Sequence, residues 1–275
     1  MIILMLLGCT ASETEESPGE IDSADTALDT GPVLLTPDEV FEQLDAFFSV
    51  GIPDPNAIEA SYLEALTHGD ETCPGMELQM NTEPQGCVAE SGYWFSGLST
   101  YLLVDEEKKG QAITGWTLSG EFEIIDPTGD LFSAGGAAAV TYGTIKEGWT
   151  ASAYASGSWL MDGEVPFLDA GYSGMVSLLA EVTDEHRTVV INGSIAYGGS
   201  LVADFDSMYS KSWECPDHMI GLLQVRDEFG RWYQIDMSTC GGCGVVSFDG
   251  TELGEGCLET EALPEMLVEI LEPVE

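Results

Sequence analysis

Basic residues are scarce in this chain. Only 7 of its 275 residues are Lys or Arg, against 49 Asp or Glu, which gives a formal net charge of −42. A surface of this charge repels phosphate backbones, so we expect no nucleic-acid partner. The charge is typical of a strongly solvated surface, and it leaves weak binding of divalent cations open as an alternative.

The short motifs of common catalytic classes are also missing. The sequence has no Gly-x-Ser-x-Gly elbow, no His-Glu-x-x-His zinc motif and no glycine-rich phosphate loop. Its three histidines, His68, His186 and His218, fall in predicted loops or at strand ends. We therefore assign no catalytic residue, no metal ligand and no cofactor. A pair of carboxylates acting in hydrolysis would be hidden among so many acidic side chains.

Long apolar runs are absent too, since no stretch approaches the roughly 18 residues of a membrane-spanning helix. The short apolar segment Met1–Gly8 ends in Leu6-Leu7-Gly8-Cys9. This resembles the lipobox of bacterial lipoproteins, in which the cysteine becomes the lipidated first residue. The resemblance implies a lipid anchor on Cys9. Residues 1–8 form a truncated-looking signal, because the run is short and no Lys or Arg precedes it.

Residues 9–34 are predicted to be an acidic, disordered tether. The segment has no basic residue, and between Thr10 and Pro32 its only large apolar side chains are Ile21 and Leu28. Such a composition cannot bury enough surface to offset the entropy of ordering. Thr10 also differs from the Asp that lipoproteins of the inner membrane carry after the cysteine. The resemblance therefore implies the outer membrane or cell surface of a Gram-negative-type bacterium.

Residues 35–70 are predicted to form a helical hairpin. Thr36-Pro37-Asp38-Glu39 has the pattern of a capping box with proline at the first helical position. A second helix is expected to start at Asp54-Pro55. The apolar stripe that contains Phe41, Phe47 and Phe48 would pack on the rest of the fold.

The fold class predicted for the remainder is mainly β. From Gly92 onward, residues 71–210 alternate apolar and polar side chains, which is the pattern of strands with one buried face. The predicted strands include Leu131–Ile145 and Gly148–Met161, whereas Thr67–Gln85, rich in Gly, Pro, Asn and Glu, is expected to be irregular. Short turns between these strands indicate a large, curved antiparallel meander, either a sandwich or a partial barrel. Within one strand, Asn192-Gly193 favours a bulge over a turn. Residues 211–260 are predicted to form a small cysteine-rich subdomain of hairpins, and residues 261–275 an acidic tail with one weakly amphipathic turn around Leu263–Leu271.

Six cysteines remain after Cys9, an even number that favours three disulfides in an oxidising compartment. The expected hairpins bring particular cysteines opposite each other. The predicted pairs are Cys73–Cys87, Cys215–Cys240 and Cys243–Cys257. Cys240-Gly-Gly-Cys243 has two alternative interpretations, a redox motif or half of a zinc site. It lacks the following helix that the first needs and the second close cysteine pair that the other needs.

Trp149 and Trp159 lie on one face of a single predicted strand, with small residues between them. They could frame a binding groove for a glycan or a lipid chain, or mark a transmembrane β-strand with aromatic girdles. The interpretation favoured here is a core strand that the N-terminal helices cover.

These observations lead to a function only in outline. We expect a lipid-anchored envelope protein that acts as a non-enzymatic binding or structural module, with an envelope protein, a glycan or a lipid as its ligand. The alternatives are an envelope hydrolase with carboxylate catalysis and a component of a transmembrane β-barrel.

Overall fold

The computed structural model describes residues 33–77, 80–108, 110–163, 165–258 and 263–273. The predicted lipobox, Cys9 and nearly all of the predicted tether lie outside these ranges. From Leu35 onward the chain forms one compact unit. Within the described ranges, no helix is both long enough and apolar enough to cross a membrane.

The described residues form one 13-stranded sheet, whose side chains alternate between an inward and an outward face. Each strand pairs antiparallel with the next strand along the chain, from the first to the last. This confirms the predicted meander. Its strands are β1 (Met76–Glu77), β2 (Met80–Val88), β3 (Trp94–Lys108), β4 (Gln111–Ile125), β5 (Leu131–Ile145), β6 (Gly148–Met161), β7 (Tyr172–Thr183), β8 (Arg187–Tyr197), β9 (Leu201–Lys211), β10 (Ile220–Arg226), β11 (Trp232–Met237), β12 (Cys243–Phe248) and β13 (Thr251–Cys257). The predicted cysteine-rich hairpins are β10–β13, and they extend the same sheet.

The helices are α1 (Pro37–Val50), α2 (Pro55–Leu66), the single turn α3 (Pro166–Asp169) and α4 (Leu263–Leu271). Both predicted N-termini are confirmed. The Glu39 N–H donates to Thr36 Oγ1 at 3.4 Å, and the Thr36 N–H donates to Glu39 Oε2 at 2.7 Å, which completes the capping box. The Asn56 N–H donates to Asp54 Oδ1 at 2.8 Å. The first two helices therefore begin where their side chains can satisfy free backbone groups.

The helices cover the inward face of the sheet. Helix α1 packs on β9, β10, β12 and β13, whereas α2 and α4 pack on β6. The sequence suggested that the N-terminal helices cover the alanines of β6. The apolar stripe of α1 instead packs on these later strands. The centroid of the Phe47 ring lies 5.1 Å from that of Tyr197 and 5.9 Å from that of Phe205. Burial of these large rings is the main stabilising contribution of α1.

Helix α4 lies in the segment predicted to be an acidic tail. Leu263, Leu267 and Leu271 repeat every four residues and are buried in the core. One face of this short helix is therefore part of the folded unit. On the helix, Glu265 forms an ion pair with Arg187, with 3.0 Å between Oε1 and Nη1. The weakly amphipathic turn predicted around Leu263–Leu271 is this helix; its periodicity covers only nine residues and is a weak signal beside a strongly acidic composition.

A row of glycines crosses the centre of the sheet. Gly120, Gly136, Gly157 and Gly174 are successive cross-strand partners on β4, β5, β6 and β7. A side chain at any of them would collide with the backbone of the adjacent strand. The backbones of adjacent strands come close along this row, and only glycine leaves the required space.

Asn192-Gly193 lies inside β8 without a turn, as expected, but the bulge predicted there lies in the neighbouring strand. β8 pairs with β7 without interruption. The register with β9 shifts between Ile191 and Gly193, where two residues of β9, Asp206 and Ser207, lie opposite the single residue Asn192. Its Oδ1 accepts the N–H of Ser207 at 3.2 Å across the two strands. The segment before β3, predicted to be irregular, instead forms β1 and β2, because a bulge between Glu83 and Cys87 disguises the alternation.

Three disulfides close the loops and hairpins, in the pairs that the sequence predicts. They are Cys73–Cys87, Cys215–Cys240 and Cys243–Cys257. Cys243 and Cys257 are direct register partners on β12 and β13. Cys240 and Cys243 bond to different partners, so the structure supports neither a redox pair nor a zinc site at this motif.

Candidate interaction surface

The inward side of β6 belongs to the core. Trp159 is 1% exposed, and its indole N–H donates to the Ser156 carbonyl at 3.0 Å. Trp149 is half-buried and packs against the core, while Ala151, Ala153 and Ala155 between them are buried. Because α2 and α4 pack on this strand, the helices occupy the side on which the two tryptophans had suggested a ligand groove.

Buried polar groups on the inward side hold α2 against the sheet. The Tyr62 hydroxyl lies 2.8 Å from Ser99 Oγ and accepts a hydrogen bond from Asn81 Nδ2 at 2.5 Å. Burial raises the pKa of Tyr62, although these two hydrogen bonds act in the opposite direction. Burial likewise raises the pKa of Glu59, which accepts a short hydrogen bond from Tyr101. Each of these side chains forms a hydrogen bond within the fold, so their role is to hold α2 on the sheet.

Across β5–β8, the opposite side of the sheet is largely exposed and almost free of charge. We use the name outer face for the outward-pointing residues of β5–β8. They are Ser133, Gly135, Ala137, Ala139, Thr141 and Gly143; Thr150, Ser152, Tyr154, Ser156, Ser158 and Leu160; Ser173, Met175, Ser177, Leu179 and Glu181; and Thr188, Val190, Asn192, Ser194 and Ala196. Among them Glu181 alone is charged.

Several large apolar side chains of the outer face stand in solvent. Met175 is 63% exposed, Leu179 49% and Tyr154 40%. Small residues surround them, so the backbone of the sheet is open to close approach. In a chain whose net charge is −42, a neutral surface four strands wide is a marked local deviation. Exposed apolar patches of this kind mark interaction sites in soluble domains.

A groove of about 940 Å³ runs across one end of the outer face, from Ser96 and Leu98 on β3 to Gly198 and Gly199 after β8. Glu121 and Glu123, two residues apart on β4, point outward into it and are exposed. The remaining lining is neutral and includes Ser96, Leu98, Ser133, Ser158 and Leu160. Two carboxylates therefore stand at the wall of a large, otherwise uncharged groove.

A second hollow, of about 420 Å³, lies beside the outer face, where β9 follows β8 in the sheet. Asp204 and Asp206 line it, together with the side-chain amides of Asn192, Gln224 and Gln234. Asp206 is exposed and Asp204 is half-buried. A pair of carboxylates on β4 and another on β9 thus flank the outer face, and each pair lines one of these two hollows.

The acidic side chains near other turns have local roles. Asp126 Oδ1 accepts the N–H groups of Thr128, Gly129 and Asp130 at 2.7, 2.8 and 2.9 Å, which closes the turn between β4 and β5. Within the ranges that the structure describes, no cluster of three or more His, Cys, Asp or Glu side chains could hold a metal ion.

The sequence carries a signal for the outer face in the polar positions between the core residues. Thr150, Ser152, Tyr154, Ser156 and Ser158 alternate with the buried alanines of β6. The same neutral alternation recurs on β5, β7 and β8, and it becomes a surface once these strands are known to be adjacent. Comparison of the chain with models of protein families, with curated proteins and with solved structures finds no match.

Proposed function

We propose that this chain is a lipid-anchored protein of the cell envelope that acts by binding through its outer face, rather than by catalysis. The observation that carries the proposal is the neutral outer face itself. A chain with 49 acidic residues distributes them over nearly every segment, yet four adjacent strands direct a single carboxylate to this side. A protein with no partner here would gain solubility from charges on these strands.

Two further features support an envelope location. The sequence Leu6-Leu7-Gly8-Cys9 resembles a lipobox, and six further cysteines form three disulfides. Disulfides of this kind are stable in oxidising compartments and rare in the cytosol. The anchor would hold the outer face near other molecules of the outer membrane or cell surface, which favours encounters between partners held on the same membrane.

The anchor is tested by replacing one residue. We expect Cys9→Ala to move the protein from the membrane fraction to the soluble fraction, because the acyl chains attached at this position supply the membrane affinity. Thr10→Ser, one residue further on, is the control and should remain membrane-bound. The measurement is quantitative immunoblotting of the two fractions. Equal partitioning of Cys9→Ala and the native chain would remove the lipoprotein assignment.

Binding and catalysis are separated by activity assays on the purified protein. We expect no turnover of glycan, ester or peptide substrates. Turnover that a single Asp→Asn or Glu→Gln substitution abolishes would instead establish the carboxylate hydrolase.

A further inference from the structure

We infer that the outer face binds a protein whose surface has a neutral patch between two clusters of Lys or Arg side chains. The inference rests on the proposed binding function and specifies its partner. It follows from the two pairs of carboxylates at the flanks, Glu121 with Glu123 and Asp204 with Asp206, and from the hollow beside each pair.

The spacing of the two pairs follows from the sheet. Within each pair the residues are separated by two positions on one strand, so their Cα atoms lie about 7 Å apart. The pairs stand on β4 and β9, which are five strand spacings apart. At roughly 4.8 Å per spacing, the distance along the sheet is about 24 Å. A single small cation cannot contact both pairs, whereas a folded partner or a long segment can.

These carboxylates have no counter-charge of their own. The ion pairs found among the described residues involve other acids, and none includes Glu121, Glu123, Asp204 or Asp206. Arg226, the basic residue on the neighbouring outward row of β10, instead donates to the Gly199 carbonyl at 3.4 Å, and its guanidinium lies 5.8 Å from the Trp232 ring. The hollows leave room for the long side chains of incoming Lys or Arg residues, which would gain charge-assisted hydrogen bonds.

A second copy of this chain is a poor match for the same surface. Two apposed outer faces would bring carboxylate flanks from two molecules of net charge −42 together. Like charges across an interface disfavour the complex, while a basic partner is attracted and oriented by the same groups. The neutral centre would then supply the apolar contact, through Tyr154, Met175 and Leu179.

Synthetic peptides provide a defined probe. One carries two Arg-Arg-Arg blocks joined by a Gly/Ser linker of about 20 residues, whose average span matches about 24 Å. The other has the same composition with all six Arg residues contiguous. By titration calorimetry of the full-length protein at 0.15 M NaCl, we expect the separated blocks to bind about tenfold more tightly, because both hollows are then occupied at once. Equal affinity of the two peptides would overturn the inference.

Two variants of equal charge locate the site. Glu121→Gln/Glu123→Gln/Asp204→Asn/Asp206→Asn should abolish the preference for separated blocks. The control, Glu106→Gln/Glu107→Gln/Glu252→Gln/Glu255→Gln, removes as many exposed carboxylates elsewhere and should retain it. The inference is wrong if the control loses the preference equally, or if one acid pair accounts for all of it.

Sedimentation of the native chain tests for self-association. A dimer that Met175→Glu dissociates would show that a second copy occupies the face, which would also overturn the inference. The membrane fractionation of Cys9→Ala is independent of all these results, so failure of the partner assignment is distinguishable from failure of the envelope assignment.

Discussion

At the scale of single residues, two tryptophans should differ in how much they contribute to the free energy of unfolding. Trp159 is buried among the aromatic rings of the core, with an edge-to-face contact to Phe122 at 6.5 Å. Trp213 lies in the loop after β9 and is 62% exposed. Exposure, rather than residue type, should therefore decide the cost of removing each ring.

We expect Trp159→Ala to lower the free energy of unfolding by about 3–5 kcal/mol, because it deletes a large buried side chain and leaves a cavity. Trp213→Ala should change it by less than about 1 kcal/mol, as is usual for a surface position. Urea denaturation with the disulfides intact measures both. Similar losses for the two variants would contradict the assignment of Trp159 to the core.

At the scale of elements, the glycine row allows adjacent strands to approach closely. Gly136 faces inward, and an added Cβ would collide with the Ser156 carbonyl of β6. Gly135, its neighbour on the same strand, faces outward, and an added Cβ would have no heavy atom within 4 Å. These two positions give a matched pair, because they differ in face but share a strand.

Gly136→Ala should destabilise the protein by about 3 kcal/mol or more, since the clash is with backbone that cannot move without disturbing strand pairing. Gly135→Ala should be neutral or stabilise by up to about 1 kcal/mol, because it restricts the unfolded chain. Thermal unfolding followed by circular dichroism compares them. The requirement for glycine at this close approach would be wrong if both alanines were tolerated.

Sequence patterns predicted elements where alternation was uninterrupted. The bounds of β5 and β6 agree with the predicted Leu131–Ile145 and Gly148–Met161. β2 was missed because Pro84, Gly86 and a bulge interrupt its pattern. The outer face and the hollows beside its two acidic pairs were missed for a different reason. They are formed by residues from separate strands, and no local pattern shows which carboxylates lie beside a groove.

At the scale of the whole molecule, charge opposes folding. The net charge of −42 produces self-repulsion that the folded state concentrates in a small volume. Added salt screens this repulsion, since the Debye length falls from about 30 Å at 0.01 M to about 10 Å at 0.1 M. The melting temperature should therefore rise with added NaCl.

Calorimetry in NaCl from 10 mM to 500 mM measures that shift. CaCl₂ at matched ionic strength is the control, and screening alone predicts a similar rise in both salts. A fall in melting temperature with NaCl would show that favourable ion pairs outweigh the repulsion. A much larger rise with calcium would indicate a specific cation site.

The central claim is that the outer face is a binding surface for a basic protein, and photo-crosslinking in the native host tests it most directly. A photoreactive phenylalanine derivative would replace Tyr154 on the outer face or, as a control, Phe229 in the turn between β10 and β11, which is 59% exposed. Mass spectrometry would then identify the adducts. We expect a discrete adduct from position 154 with a different protein that carries Lys- or Arg-rich surface clusters. That adduct should be lost in the Glu121→Gln/Glu123→Gln/Asp204→Asn/Asp206→Asn background and absent from position 229. An adduct between two copies of this chain, or equal labelling from both positions, would contradict the claim.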